Sequence, residues 1–159
     1  MNLARWSLLI AFVTAATIAG AWAFQLAGYA PCELCLKERI PYYTGAPLAV
    51  VAFLLASRRK VFGARVTLAL VALIFAAGTV LAVYHSGVEF GWWPGPSDCT
   101  GDFAAAASTQ DFLKQLQTVQ VVRCDAVAIR VLGLSLAAWN AVISAALTLA
   151  AAIAALRRG

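Results

Sequence analysis

Charged residues are scarce in this sequence: 12% of its 159 residues are Asp, Glu, Lys or Arg, against 63% that are hydrophobic. A water-soluble domain needs more polar surface than that, so the bilayer is the solvent the composition fits. Internal repeats, low-complexity tails and Gly/Ser-rich linkers are also missing, which leaves residues 1–159 as a single integral-membrane domain. The net charge of +5 comes without any basic stripe interleaved with aromatics, so nucleic acid is not an expected partner. Histidine occurs once, as His85, and cysteine four times, with only one C-x-x-C.

Four long apolar stretches stand out, Trp6 to Ala30, Ile40 to Ala56, Val66 to Tyr84 and Val131 to Leu156. A helix rising about 1.5 Å per residue crosses a hydrocarbon core of about 30 Å in roughly 20 residues, so three of them span with ease. The second is short unless its helix starts upstream near Cys32, which carries Glu33, Lys37, Glu38 and Arg39 into the interfacial zone; Pro41 and Pro47 predict bends in it. The first stretch has Arg5 before it and a small-x-small element at Ala21-Trp22-Ala23, as a signal peptide would, but its apolar length exceeds a signal core and it is expected to be retained. The predicted fold is an all-α membrane protein, a bundle of four transmembrane helices.

With both termini cytoplasmic, the inner segments hold Arg5, Arg58, Arg59, Lys60, Arg65, Arg157 and Arg158 and no acidic residue, while all seven acidic residues fall outside. The outer loops are then about 28–40 and 85–130. Tyr29, Tyr42, Tyr43, Tyr84, Trp92 and Trp93 lie near the outer boundary, where amphipathic rings prefer to sit. In the long loop, Ser108 and Asp111 form a capping box ahead of Phe112, Leu113, Leu116 and Val119, which predicts a short amphipathic helix on the membrane surface or packed on the loop.

All four cysteines lie in the outer loops, where an oxidising compartment favours disulfides. Cys99 and Cys124, with 24 residues between them, could close a loop worth about 3 kcal/mol as a staple. Cys32 and Cys35 form a C-x-x-C ring too small for that, the spacing of a tunable redox pair. Arg39 follows Cys35 by one helical turn, where a fixed positive charge favours a thiolate, or where it serves only as an interfacial anchor. A zinc site built from all four cysteines is disfavoured, because such sites usually join two C-x-x-C pairs. His85 ends the third span, either as an interfacial polar residue or as a group handling quinone or protons, and Asn140 should face another helix or a ligand.

Pro31-Cys32-Glu33-Leu34-Cys35 with Glu38-Arg39, Gly95-Pro96-Ser97-Asp98-Cys99, Cys124, Leu132-Gly133-Leu134-Ser135 and Trp139-Asn140 together closely resemble the bacterial disulfide bond formation protein B (DsbB) family. The resemblance implies an electron-transport enzyme of the bacterial inner membrane, a protein disulfide:quinone oxidoreductase. Its implied partners are the membrane quinone pool and a periplasmic DsbA-like thioredoxin-fold thiol oxidase. Cys99 is then the residue attacked by the reduced partner, Cys124 the resolving cysteine that shifts its bond to Cys32, and Cys35 the thiolate facing a quinone, ubiquinone ahead of menaquinone. Arg39, and more loosely His85, match residues that bind the quinone. Two other readings compete: a disulfide-stapled four-span scaffold, disfavoured by the missing Cys-Cys-Gly element, and a vitamin K epoxide reductase-like enzyme, whose quinone-side C-x-x-C belongs to a late span.

Overall fold

The computed structural model describes residues 2–96, 108–110 and 122–157. Cys99, with residues 97–107 and 111–121 of the long loop and so nearly all of the predicted amphipathic helix, lies outside these residues. Four long helices dominate: α1 (Leu3–Leu26), α2 (Glu33–Ser57), α3 (Val61–Glu89) and α4 (Leu136–Leu156), with a two-stranded hairpin, β1 (Arg130–Val131) and β2 (Leu134–Ser135), before α4. Each helix is long and apolar enough to cross a membrane. Side chains such as Phe12, Leu73, Val80 and Leu149 point outward, more than 60% exposed, a surface that lipid covers.

Local chemistry sets the helix ends. Cys32 caps α2, its Sγ accepting the Cys35 N–H at 3.3 Å, so the second span does start upstream as its length requires. It continues through Pro41 and Pro47. α1 ends in a Schellman motif: Tyr29 N–H donates to Phe24 O and Gly28 N–H to Gln25 O, with Gly28 at φ +98° and the Tyr29 ring edge-on to Phe24. α3 ends the same way around Gly91. The fourth span starts later than the apolar run suggests. Leu132 and Gly133 both take positive φ, the requirement of a two-residue type I′ turn, and this turn pairs Arg130 with Ser135 before the Ser135 side chain caps α4.

Successive helices pack side by side and α1 closes on α4, so the four surround one core of Ile10, Tyr42, Ala49, Ala52, Leu68, Val71, Phe75, Leu147, Ala151 and Ala154. Small residues let backbones approach, the usual way helices gain contact in lipid. The closest such contact joins α2 to α3 at Gly45, where an added Cβ would stand 2.6 Å from Phe75 Cε2. Gly45→Ala is therefore expected to cost about 1–3 kcal/mol by overpacking. Thermal unfolding in detergent should show a lowered midpoint, recovered in part by Phe75→Leu; a variant as stable as the wild type would contradict this packing.

The antiparallel helices gather Arg5, Arg58, Arg59, Lys60, Arg65 and Arg157 at one end of the bundle and the described cysteines at the other.

Candidate functional site

The first turn of α2 positions both cysteines of the C-x-x-C. Cys32 is buried at the cap, Cys35 half-buried one turn on, and their sulfurs lie 2.8 Å apart as free thiols. Across from them α3 presents His85, buried and with Nε2 3.6 Å from Cys32 Sγ. His85 is thus not the interfacial residue its place in the sequence allowed: α3 continues past it to Glu89 and turns it inward.

Behind the imidazole runs a chain of buried polar groups. Glu38 Oε1 accepts from His85 Nδ1 at 2.8 Å, Glu38 Oε2 accepts from Asn140 Nδ2 at 2.8 Å, and Asn140 Oδ1 accepts from the Tyr42 hydroxyl. Since the carboxylate accepts at Nδ1, Nε2 is the ring atom left to share a proton with sulfur. Three helices meet at this one carboxylate. Sequence reasoning placed Tyr42 among boundary aromatics, but it is buried against Phe75, with ring centroids 5.2 Å apart. It also left Glu38 in the interfacial zone; the signals pointing further were its place in the Glu38-Arg39 element and the polar Asn140, which does face another helix, as its place in an apolar span requires.

The Cys35 thiol, donating to Cys32 Sγ, holds the Cys32 thiol well below the ordinary thiol range; His85 and the Cys35 backbone N–H add to this, and burial opposes them. The N-terminus of α2 favours negative charge at the same place. Arg39, one turn beyond Cys35, lines the same cavity as that cysteine. Its guanidinium donates to Gln25 Oε1 at 2.7 Å and to Ala21 O at 3.5 Å, and lies 6.0 Å from the Trp22 ring centroid, tying α2 to α1.

Cys32, Cys35, Glu38, Arg39, Tyr42, His85 and Asn140 all line one cavity of about 340 Å³. Its other walls are largely apolar, among them Ile18, Phe24, Ile129, Leu136 and Ile143, a combination that suits a flat amphipathic ring. Cys124 is disulfide-bonded and buried, and packs in one cluster with Cys32, Leu34 and Val88. A sulfur in a disulfide is no thiolate ligand, so in this state the site does not use all four cysteines for zinc.

Comparison with known proteins agrees with this arrangement. The family model described as disulfide bond formation protein DsbB matches residues 4–154. An uncharacterized protein of Rickettsia prowazekii (strain Madrid E) is 27% identical over 114 residues, which is 70% of this chain and 63% of that protein, so the chain spans a little under two thirds of that relative. No solved structure matches. With two free cysteines and a bonded third packed together at one end of a four-helix membrane bundle, and nearly its whole length matched, this multi-pass membrane protein belongs to the DsbB family of disulfide bond formation proteins.

Proposed function

We propose that this chain reoxidises a DsbA-like thioredoxin-fold thiol oxidase on the periplasmic face of a bacterial inner membrane and passes the electrons to a membrane quinone. The observation that carries the reading is the Cys32–Cys35 pair on the wall of a ring-sized apolar cavity. The charge pattern supports the orientation, with basic residues at the end away from the cysteines and both termini cytoplasmic. Residues 1–159 act as one domain.

The reduced partner's thiolate attacks Cys99 and releases Cys124 as a thiolate. Cys124, packed beside Cys32, attacks Cys32 Sγ in the Cys32–Cys35 disulfide and frees Cys35. The partner's second thiol then resolves the mixed disulfide at Cys99 and leaves oxidised, and Cys99 returns to Cys124, releasing Cys32. Bound in the cavity, a quinone would supply a two-electron, two-proton oxidant, with ubiquinone the first to test. Closing the Cys32–Cys35 disulfide releases both, and His85 Nε2 stands where the Cys32 proton leaves. Arg39 and the aromatic walls would hold the ring, while the buried Glu38 keeps the imidazole turned toward sulfur.

The test combines the purified chain, a reduced thioredoxin-fold dithiol protein and a short-chain ubiquinone, and follows quinone absorbance. Catalytic quinone consumption that disappears in Cys99→Ser is expected; consumption no faster than without the chain, or unaffected by Cys99→Ser, would overturn the reading. In the same assay Arg39→Ala should raise the KM for quinone about tenfold, the value of one charged hydrogen bond, without slowing mixed-disulfide formation. An unchanged KM would remove Arg39 from the quinone site.

A further inference from the structure

Cys32, Cys35 and His85 bring together donor types that transition metals favour, and their Sγ and ring-nitrogen atoms all lie within 4.8 Å of one another. We propose that, when the C-x-x-C is reduced, Cys32 Sγ, Cys35 Sγ and His85 Nε2 form a three-ligand site for a divalent cation of the zinc class, its fourth position open to the cavity. The site rests on the reduced state of the pair alone; that its occupancy halts turnover rests on the function proposed above.

Three features support it. Bonds of about 2.3 Å to sulfur and about 2.0 Å to nitrogen give a tetrahedral S···N edge of about 3.5 Å, and Cys32 Sγ stands 3.6 Å from His85 Nε2. The sulfurs, 2.8 Å apart, must open to a tetrahedral edge, and the half-buried Cys35 lines the cavity into which it would turn. Second, Glu38 accepts from Nδ1, the far ring nitrogen, the carboxylate–histidine arrangement that aims Nε2 at a metal, and Asn140 in turn holds Glu38. Third, the Cys35 backbone N–H donates to Cys32 Sγ, stabilising negative charge on that ligand.

Binding displaces one proton from each thiol and moves no electrons. Once the pair closes as a disulfide neither sulfur is a thiolate, so the site exists only in the reduced protein. A bound cation holds both sulfurs and prevents the disulfide from closing.

The test uses phosphine-reduced full-length protein in detergent, with Cys99→Ser/Cys124→Ser alongside so that no other thiol contributes. Zinc is titrated against a chromophoric chelator, and cobalt(II) serves as a spectroscopic substitute. One zinc per chain is expected in the reduced protein and none after oxidation, with thiolate-to-cobalt charge-transfer absorption. His85→Ala should weaken zinc binding at least tenfold, and Glu38→Gln between tenfold and a hundredfold, in variants whose circular dichroism and maleimide reactivity match the parent. Wild-type affinity in His85→Ala would reduce the site to dithiol chelation and overturn it, as would absence of binding. The titration needs neither quinone nor partner: a chain that binds zinc but turns over no quinone overturns the functional reading alone, and one that turns over but binds no zinc overturns this site alone.

Discussion

Cys35→Ser is expected to stop quinone reduction while leaving the chain able to oxidise one equivalent of partner. In the mechanism proposed above the two steps use different sulfurs. On the proposed route the incoming dithiol is oxidised by the Cys99–Cys124 pair, which the substitution would leave in place, so a single burst of partner oxidation should remain. After it, the C-x-x-C disulfide cannot form, because a serine hydroxyl ionises far above the thiol range and closes no disulfide, and no sulfur stands at position 35 to pass electrons to quinone. Turnover should fall at least about a thousandfold, as when a nucleophile is removed from a group that acts as a unit. Rapid-quench alkylation counts the burst, and quinone absorbance follows the steady state. Sustained turnover in this variant would show that electrons leave by another route.

The second large effect is on stability. Glu38 is 6% exposed and accepts from His85 on α3 and Asn140 on α4, each at 2.8 Å, while itself standing on α2. Glu38→Ala strands two buried donors at the junction of three helices. Loss of one partner from a buried charged network costs about 3–5 kcal/mol. Glu38→Gln should cost less, since its amide oxygen satisfies one donor while its NH₂ faces the other. Unfolding in detergent should rank the wild type above Glu38→Gln and Glu38→Ala last. Combined with Asn140→Ala, the change should be non-additive by about 0.5–3 kcal/mol, the mark of residues in one network. Additive losses, or Glu38→Ala unfolding with the wild type, would mean that the carboxylate does not tie these helices together.

Much of the fold was legible in the residues because its causes are local. Apolar length against bilayer thickness located four spans, and the shortfall of the second correctly demanded a start near Cys32. The fourth was read five residues too early, since hydropathy runs unbroken through Val131 to Ser135 while the backbone turns at Leu132-Gly133. Asn140 could be singled out because a polar group in lipid needs a partner, but which partner was not written nearby.

Composition, span length and the C-x-x-C spacing by themselves determined that this chain is a four-helix membrane protein with a cysteine pair at a helix start, since each follows from interactions within a few residues or with the solvent. Only tertiary structure decided that His85 faces those sulfurs, that Glu38 backs it and that Arg39 bonds to Gln25 on α1. Glu38 is separated from His85 by 47 positions and from Asn140 by 102, so their meeting depends on how α2, α3 and α4 pack, which no local pattern encodes.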